Sequence, residues 1–226
     1  MNYQLTRSKR RTISIRITKD GVIDVRAPIK MPVSEIESFI DSKKRWISKH
    51  QQEALEKSSA RQCFELNYYD TVVLRGNNFI IEPSEEKNAF IDIDNSKSIF
   101  IPKGYTSQQI LDSVRNMLIK YAKSYIPQQT ENFAKLMDVT PSSVKIGNAN
   151  TRWGSCSSQG RINFSWKLVM CSDEVIDYII VHELSHLTHM NHSRFFWEEV
   201  EKFAPLHKES RAKLKAFNRQ LSSESW

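Results

Sequence analysis

Residues 12–18 alternate apolar and polar side chains and place Ile13, Ile15 and Ile17 on one face, the period of a half-buried strand. Lys19-Asp20-Gly21 supplies a turn, and residues 22–27 resume the alternation with Ile23 and Val25, so the pair reads as a β-hairpin. After Pro28 and Pro32, Ser34 and Glu37 have the spacing of a capping box. The helix it opens carries Ile36, Phe39, Ile40 and Ile47 on an apolar stripe with Trp46 beside it, and should run out in the polar stretch 51–60. Short runs rich in β-branched and aromatic residues at 71–74, 79–82, 90–93 and 99–101 predict strands, separated by Gly76-Asn77-Asn78 and Asn95-Ser96-Lys97.

From about residue 106 the period changes to helical. Ile110, Val114, Met117, Leu118 and Tyr121 share a face, and Pro127 should kink or end that helix. Strands are expected at 144–146, 151–157 and 161–169. Ser172 then stands as the N-cap of a helix whose Ile176, Ile179, Ile180, Leu184 and Leu187 form a buried stripe. Ser193 opens another helix with Phe196, Trp197, Val200 and Phe203 inward, stopped by Pro205, and a last helix carries Leu214, Phe217 and Leu221. The expected fold class is α+β. A β-rich N-terminal module with one helix covers residues 1–105, and a second domain with a small antiparallel sheet packed on helices covers 106–226.

Composition narrows the class. Apolar residues make up 39% and charged residues 26% of 226, which suits a globular chain. No apolar run approaches the roughly 18 residues of a membrane span. The basic N-terminus lacks the apolar segment of a secretory signal. Three widely spaced cysteines argue against a disulfide framework. A cytoplasmic protein without a membrane partner is expected. Lys and Arg exceed Asp and Glu by seven, but the positive residues look scattered apart from Arg7 to Arg11 and Lys43-Lys44-Arg45, so the excess reads first as a solvated basic surface.

The chemistry concentrates in His182-Glu183-Leu184-Ser185-His186, followed by Leu187-Thr188-His189-Met190-Asn191-His192. Two histidines four apart on a helix project from one face and can share one zinc ion, with the glutamate between them as general base. A solvated helix with two incidental histidines is the bland alternative, but it does not explain why Val181 and Leu184 make the segment so apolar. A straight helix would hold His182 and His189 about 10.5 Å apart along its axis, so it should end near His189, with Asn191 taking a left-handed turn. His192 is then the favoured third ligand, with His189 and one of Glu198, Glu199 or Glu201 as rivals. Three protein ligands leave a fourth position open, as catalytic zinc sites do. Arg152-Trp153-Gly154-Ser155-Cys156 reads either as a strand end with a packed tryptophan or as the rim of the cleft. As a rim it would hold an extended peptide by main-chain hydrogen bonds, with Gly154 permitting close approach and Cys156 as an outside candidate for a fourth ligand.

On these residues the chain resembles the YgjP-like metallopeptidase family. The shared features run from Arg10-Arg11-Thr12-Ile13-Ser14 and Arg26-Ala27-Pro28 through Arg152 to Cys156, Tyr178, His182 to His186, Asn191-His192-Ser193 and Phe196-Trp197. Ser165 departs from an expected asparagine, and Cys171-Ser172 from alanine-proline. The resemblance implies a zincin-like domain, similar in layout to SprT-like and Wss1-like proteases. In it His182, His186 and His192 would be zinc ligands, Glu183 the catalytic base, and a peptide or protein the substrate. It leaves two other readings open: a zinc-dependent nucleotide (UTP-type) pyrophosphatase, and a nucleic-acid (DNA)-associated binding protein with a structural metal.

Overall fold

The expected hairpin is strands Ser14–Ile17 (β2) and Ile23–Pro28 (β3), paired antiparallel with Ile15 opposite Val25. The computed structural model describes residues 2–149 and 152–226. Within them the chain forms two compact units, Met1–Phe64 with Arg219–Trp226, and Glu65–Asn218.

In the first unit a strand that the hydrophobic pattern does not reveal, Gln4–Ser8 (β1), adds parallel to β3 and makes the sheet order β1-β3-β2. The inner face contributes Ile23, Val25 and Ala27, which pack with Ile36, Ile40 and Ile47. Those three come from helices Val33–Ser42 (α1) and Lys44–Gln62 (α2). Removal of such side chains from water stabilises by about 1.5–3 kcal/mol each. Two expectations change here. The capping box at Ser34 and Glu37 does not form, because α1 starts two residues earlier, with Pro32 rather than Ser34 at the N-cap and no side-chain cap. The polar stretch 51–60 is helix, not its end. Its helical state is set by tertiary contacts: the Gln51 side chain donates to the Gly21 carbonyl at 2.8 Å. Leu55 lies so close to Gly21 that a Cβ there would sit 2.9 Å from it.

In the second unit Thr71–Leu74 (β4), Asn77–Ser84 (β5), Phe90–Asp92 (β6) and Ser98–Pro102 (β7) form a sheet of order β4-β5-β7-β6. The boundary expected near residue 105 therefore falls inside this unit, and the division lies at Phe64 and Glu65. The cause is burial. Val72, Leu74, Phe79, Ile81, Ile99 and Ile101 are all buried, with β7 against helix Ser107–Leu136 (α3) and β4 against the 3-10 turn Trp166–Met170. A capping box of Thr106 and Gln109 opens α3, which runs unbroken through Pro127. The proline forfeits a backbone hydrogen bond at a cost of about 3 kcal/mol, and burial of Ile126, Thr130 and Ala134 on the same face offsets it.

Ser143–Gly147 (β8), Gly154–Cys156 (β9) and Arg161–Ser165 (β10) make a sheet of order β8-β10-β9. It is mixed rather than wholly antiparallel, since β8 runs parallel to β10. Thr151, where the strand at 151–157 was expected to open, lies outside the described residues. The strand expected to reach residue 169 ends at Ser165. Its apolar continuation coils into the 3-10 turn, with Trp166 donating from Nε1 to Asn148 at 2.9 Å. A continuous apolar run carries no period to separate those outcomes.

Helix Asp173–Ser185 (α4) is apolar nearly all round, as a central helix must be. Its first turn is fastened by Arg75, whose Nε and Nη2 donate to Asp173 at 2.7 and 2.6 Å. Burial, then the carboxylates of Asp173 and Glu174 one turn earlier, push Asp177 up to about 6. A carboxyl that holds its proton more tightly when folded favours folding at low pH, and that contribution is lost as pH rises through the folded value. Asp177→Asn should therefore raise the melting temperature at pH 8 by about 2–4 °C, equivalent to about 1 kcal/mol after solvent screening. It should also flatten the stability profile between pH 4 and 6. A thermal melt series from pH 4 to 8 checks both, and an unaltered slope would refute the assignment.

Candidate metal centre

Helix α4 delivers His182 and His186 one turn apart, with Glu183 next to the first, and ends at Ser185 with His186 as C-cap. Three more backbone hydrogen bonds continue the coil to His189. The chain then reverses into helix Arg194–Phe203 (α5). Asn191 does not adopt the left-handed conformation expected of it; among the described non-glycine residues that region is taken by Tyr69, Arg75, Lys97 and Asp138. The reversal still delivers His192.

His182, His186 and His192 come together with one ligand atom each, all within 4.8 Å of one another. Nε2 of His182 and Nε2 of His192 are 3.3 Å apart. Two nitrogens bound at about 2.0–2.1 Å to one tetrahedral ion lie roughly 3.3–3.4 Å apart, so this spacing fits shared coordination. Nδ1 of His186 donates to the His189 carbonyl at 3.1 Å, which leaves Nε2 as its ligand atom. His189 takes part through this carbonyl, outside the three-histidine group. Nδ1 of His182 is buried without a partner. Burial, then His186 and His192, hold the His182 pKa down at about 3, and burial also lowers that of His186. Burial thus favours the neutral imidazole at His182 and His186, the form that binds metal. The donor set fits a divalent ion with a preference for nitrogen ligands.

Phe196 (α5) packs against the cluster, its ring 4.6–5.0 Å from all three imidazoles. Trp197 stacks on His192 at 5.8 Å and on His207 at 5.5 Å. Helix His207–Leu221 (α6) supplies His207, and Tyr178 meets His182 edge-on from one turn earlier in α4. This ring collar fixes the imidazole orientations. Tyr178, named among the shared features, stands four residues before His182 on α4; nothing in the sequence marks His207.

Glu183 is buried at 5% exposure. Burial pushes its carboxyl up to about 7, against the opposing field of Arg152. Strand β9 lies directly on it: a Cβ built on Gly154 would meet Cγ and Oε1 of Glu183 at 2.6 Å. Gly154 thus permits an approach to the carboxylate. Gly154→Ala should destabilise by about 1–3 kcal/mol through overpacking, seen as a lower melting temperature; an unchanged melt would show that the strand yields freely. Strand β9 is at the sheet edge. Trp153, Ser155 and Ser157 turn their main-chain groups to β10, as the Ser165 to Trp153 and Ser157 to Arg161 hydrogen bonds show. By antiparallel alternation, those of Gly154 and Cys156 face the open side. Arg152 is exposed, Trp153 meets Phe217 at 6.0 Å, and Ser155 is half-buried. Burial, then Glu183, raises the Cys156 thiol pKa, which disfavours the thiolate a metal would need. Of the two departures, Ser165 is buried and donates to the Ala149 carbonyl, and Cys171 is buried with its thiol pushed up to about 12.

Three imidazoles around one point and a buried carboxyl beside them define the class: a metal-dependent hydrolase of the peptidase type. The YgjP-like, metallopeptidase domain model matches residues 11–217, and the chain belongs to the YgjP-like metallopeptidase family. Among solved structures it is similar to the metallopeptidase zymogen abylysin of Pyrococcus abyssi, at 23% identity and a TM-score of 0.38, over 45% of this chain and 99% of that one. No curated protein matches. Among the described residues no helix is long and apolar enough to cross a membrane.

Proposed function

We propose that the chain is a zinc-dependent peptidase. The observation that carries this is the 3.3 Å approach of His182 to His192 beside His186, with the Glu183 carboxyl buried next to them. His182, His186 and His192 would hold the ion, and imidazole donors without a carboxylate suit zinc. Bound zinc supplies Lewis acidity, which lowers the pKa of water toward about 7 and polarises a carbonyl.

The chain's own residues supply the rest. Glu183, poised by burial, accepts the proton of the attacking water and hands it to the departing amine. The open edge of β9 binds an extended peptide through the main-chain groups of Gly154 and Cys156. Arg152, Trp153 and Ser155 line that rim, with Arg152 presenting its charge to solvent. An extended main chain added to this edge passes beside Glu183, because Gly154 lies in contact with that carboxylate.

The test offers the purified chain a peptide library and, separately, UTP, each with and without chelator and added zinc. The proposal expects chelator-sensitive peptide cleavage, restored by zinc, and no pyrophosphate release. Pyrophosphate release with every peptide intact would replace it with a nucleotide hydrolase.

A further inference from the structure

Divided at the observed boundary, the net charge is not scattered. The first unit holds 15 of the 33 Lys and Arg residues against 8 of the 26 Asp and Glu, which leaves 18 against 18 in the second. All seven excess positive charges belong to the first unit. They include a groove of about 430 Å³ between β2 and α2, lined by Arg16, Lys19, Lys57 and Arg61 with Trp46 and His50. Trp46 is 44% exposed, and its ring lies 4.5 Å from that of His50, one turn on. The one carboxylate in the groove, Glu53, is engaged by Nδ1 of His50 at 3.0 Å. Arg61 is held in place by the carbonyls of Ser222 and Lys19, at 2.9 and 3.1 Å, rather than by a carboxylate.

We infer that this groove binds single-stranded nucleic acid. Cations along a groove with an exposed aromatic ring are the two parts of a single-strand site, one for phosphates and one for a base face. Trp46 and Arg61 bracket about 22 Å of helix, the length of several nucleotides rather than one. An acidic peptide would satisfy the cations but offer the indole no base to stack on, and a duplex keeps its bases in its own stack. The inference does not rest on the metal site.

Fluorescence anisotropy of a labelled 12-mer of thymidylate with the full chain tests it, between 50 and 200 mM salt. Binding should weaken with salt, with a log-log slope of about −2 to −3 for four cations. Trp46→Ala should weaken binding about 5- to 100-fold, the loss of one stacked base, and Trp46→Phe should restore most of it. Arg16→Ser and Lys57→Ser should each reduce the slope by about 0.7. All three positions are exposed, and circular dichroism melts verify that the variants fold. The inference is overturned if the 12-mer does not bind at 50 mM salt, or if Trp46→Ala binds it unchanged. It is equally overturned if polyglutamate, phosphatidylserine vesicles, a 12-base-pair duplex or thymidine monophosphate bind as tightly.

Discussion

Glu183→Gln should keep the parent's zinc content and lose about 10²- to 10⁴-fold in turnover, the contribution of a positioned general base. The amide has the shape of the carboxylate but cannot accept the proton of an attacking water. Its fit is preserved, because glutamine keeps the Cγ and Oε1 that fill the space a Cβ on Gly154 would need. The histidine cluster is untouched, so metal binding and turnover should separate in this variant. Metal analysis alongside a peptide assay measures both. A glutamine variant with full zinc and parental turnover would remove Glu183 from the chemistry, leaving its burial without a catalytic purpose.

His192→Ala should abolish zinc binding and activity together, while His189→Ala should preserve both. The distinction lies in which atoms are used. Nε2 of His192 stands 3.3 Å from Nε2 of His182, whereas His189 contributes a main-chain carbonyl that an alanine keeps. Loss of an outer-shell partner lowers metal affinity about 10- to 100-fold, and loss of one of three ligands should cost more than that. Zinc content after dialysis decides the matter. Retained zinc in His192→Ala, or lost zinc in His189→Ala, would assign the third position elsewhere.

The histidine-bearing helix could be read from sequence because its signals are local. Two histidines four apart on an apolar helix face one way whatever surrounds them, and the end of that helix near His189 follows from reach alone. The third histidine needed one more inference, a reversal, and Asn191 was the wrong residue for making it. Elsewhere the misreadings share a cause. Strand β1 is exposed at every position, so it has no buried face to create a pattern. From Gln51 onward α2 is polar and helical, held by contacts of Gln51 and Leu55 with Gly21, 30 and 34 residues away. The strands 71–102 resemble the N-terminal hairpin in composition but bury their apolar faces with α3, which no local pattern discloses. That last error hid the charge distribution as well. A boundary near residue 105 mixes the net-acidic stretch 65–105, with 4 Lys and Arg against 7 Asp and Glu, with the basic segment, and the division at residue 64 separates them.

The first unit is assembled from both ends of the described chain. Arg61 reaches the carbonyl of Ser222, 161 residues later, and Phe64 meets Trp226 at 5.4 Å. The second unit is one uninterrupted stretch, Glu65–Asn218. During synthesis the stretch with the reactive helix can therefore mature while its successor residues are still being joined. The sheet and helices that precede it on the ribosome cannot acquire their full set of neighbours until Trp226 has emerged. Of the two units, the one whose strands are made earlier is completed later, and a stall before Arg219 would leave a finished second unit joined to an unfinished basic one.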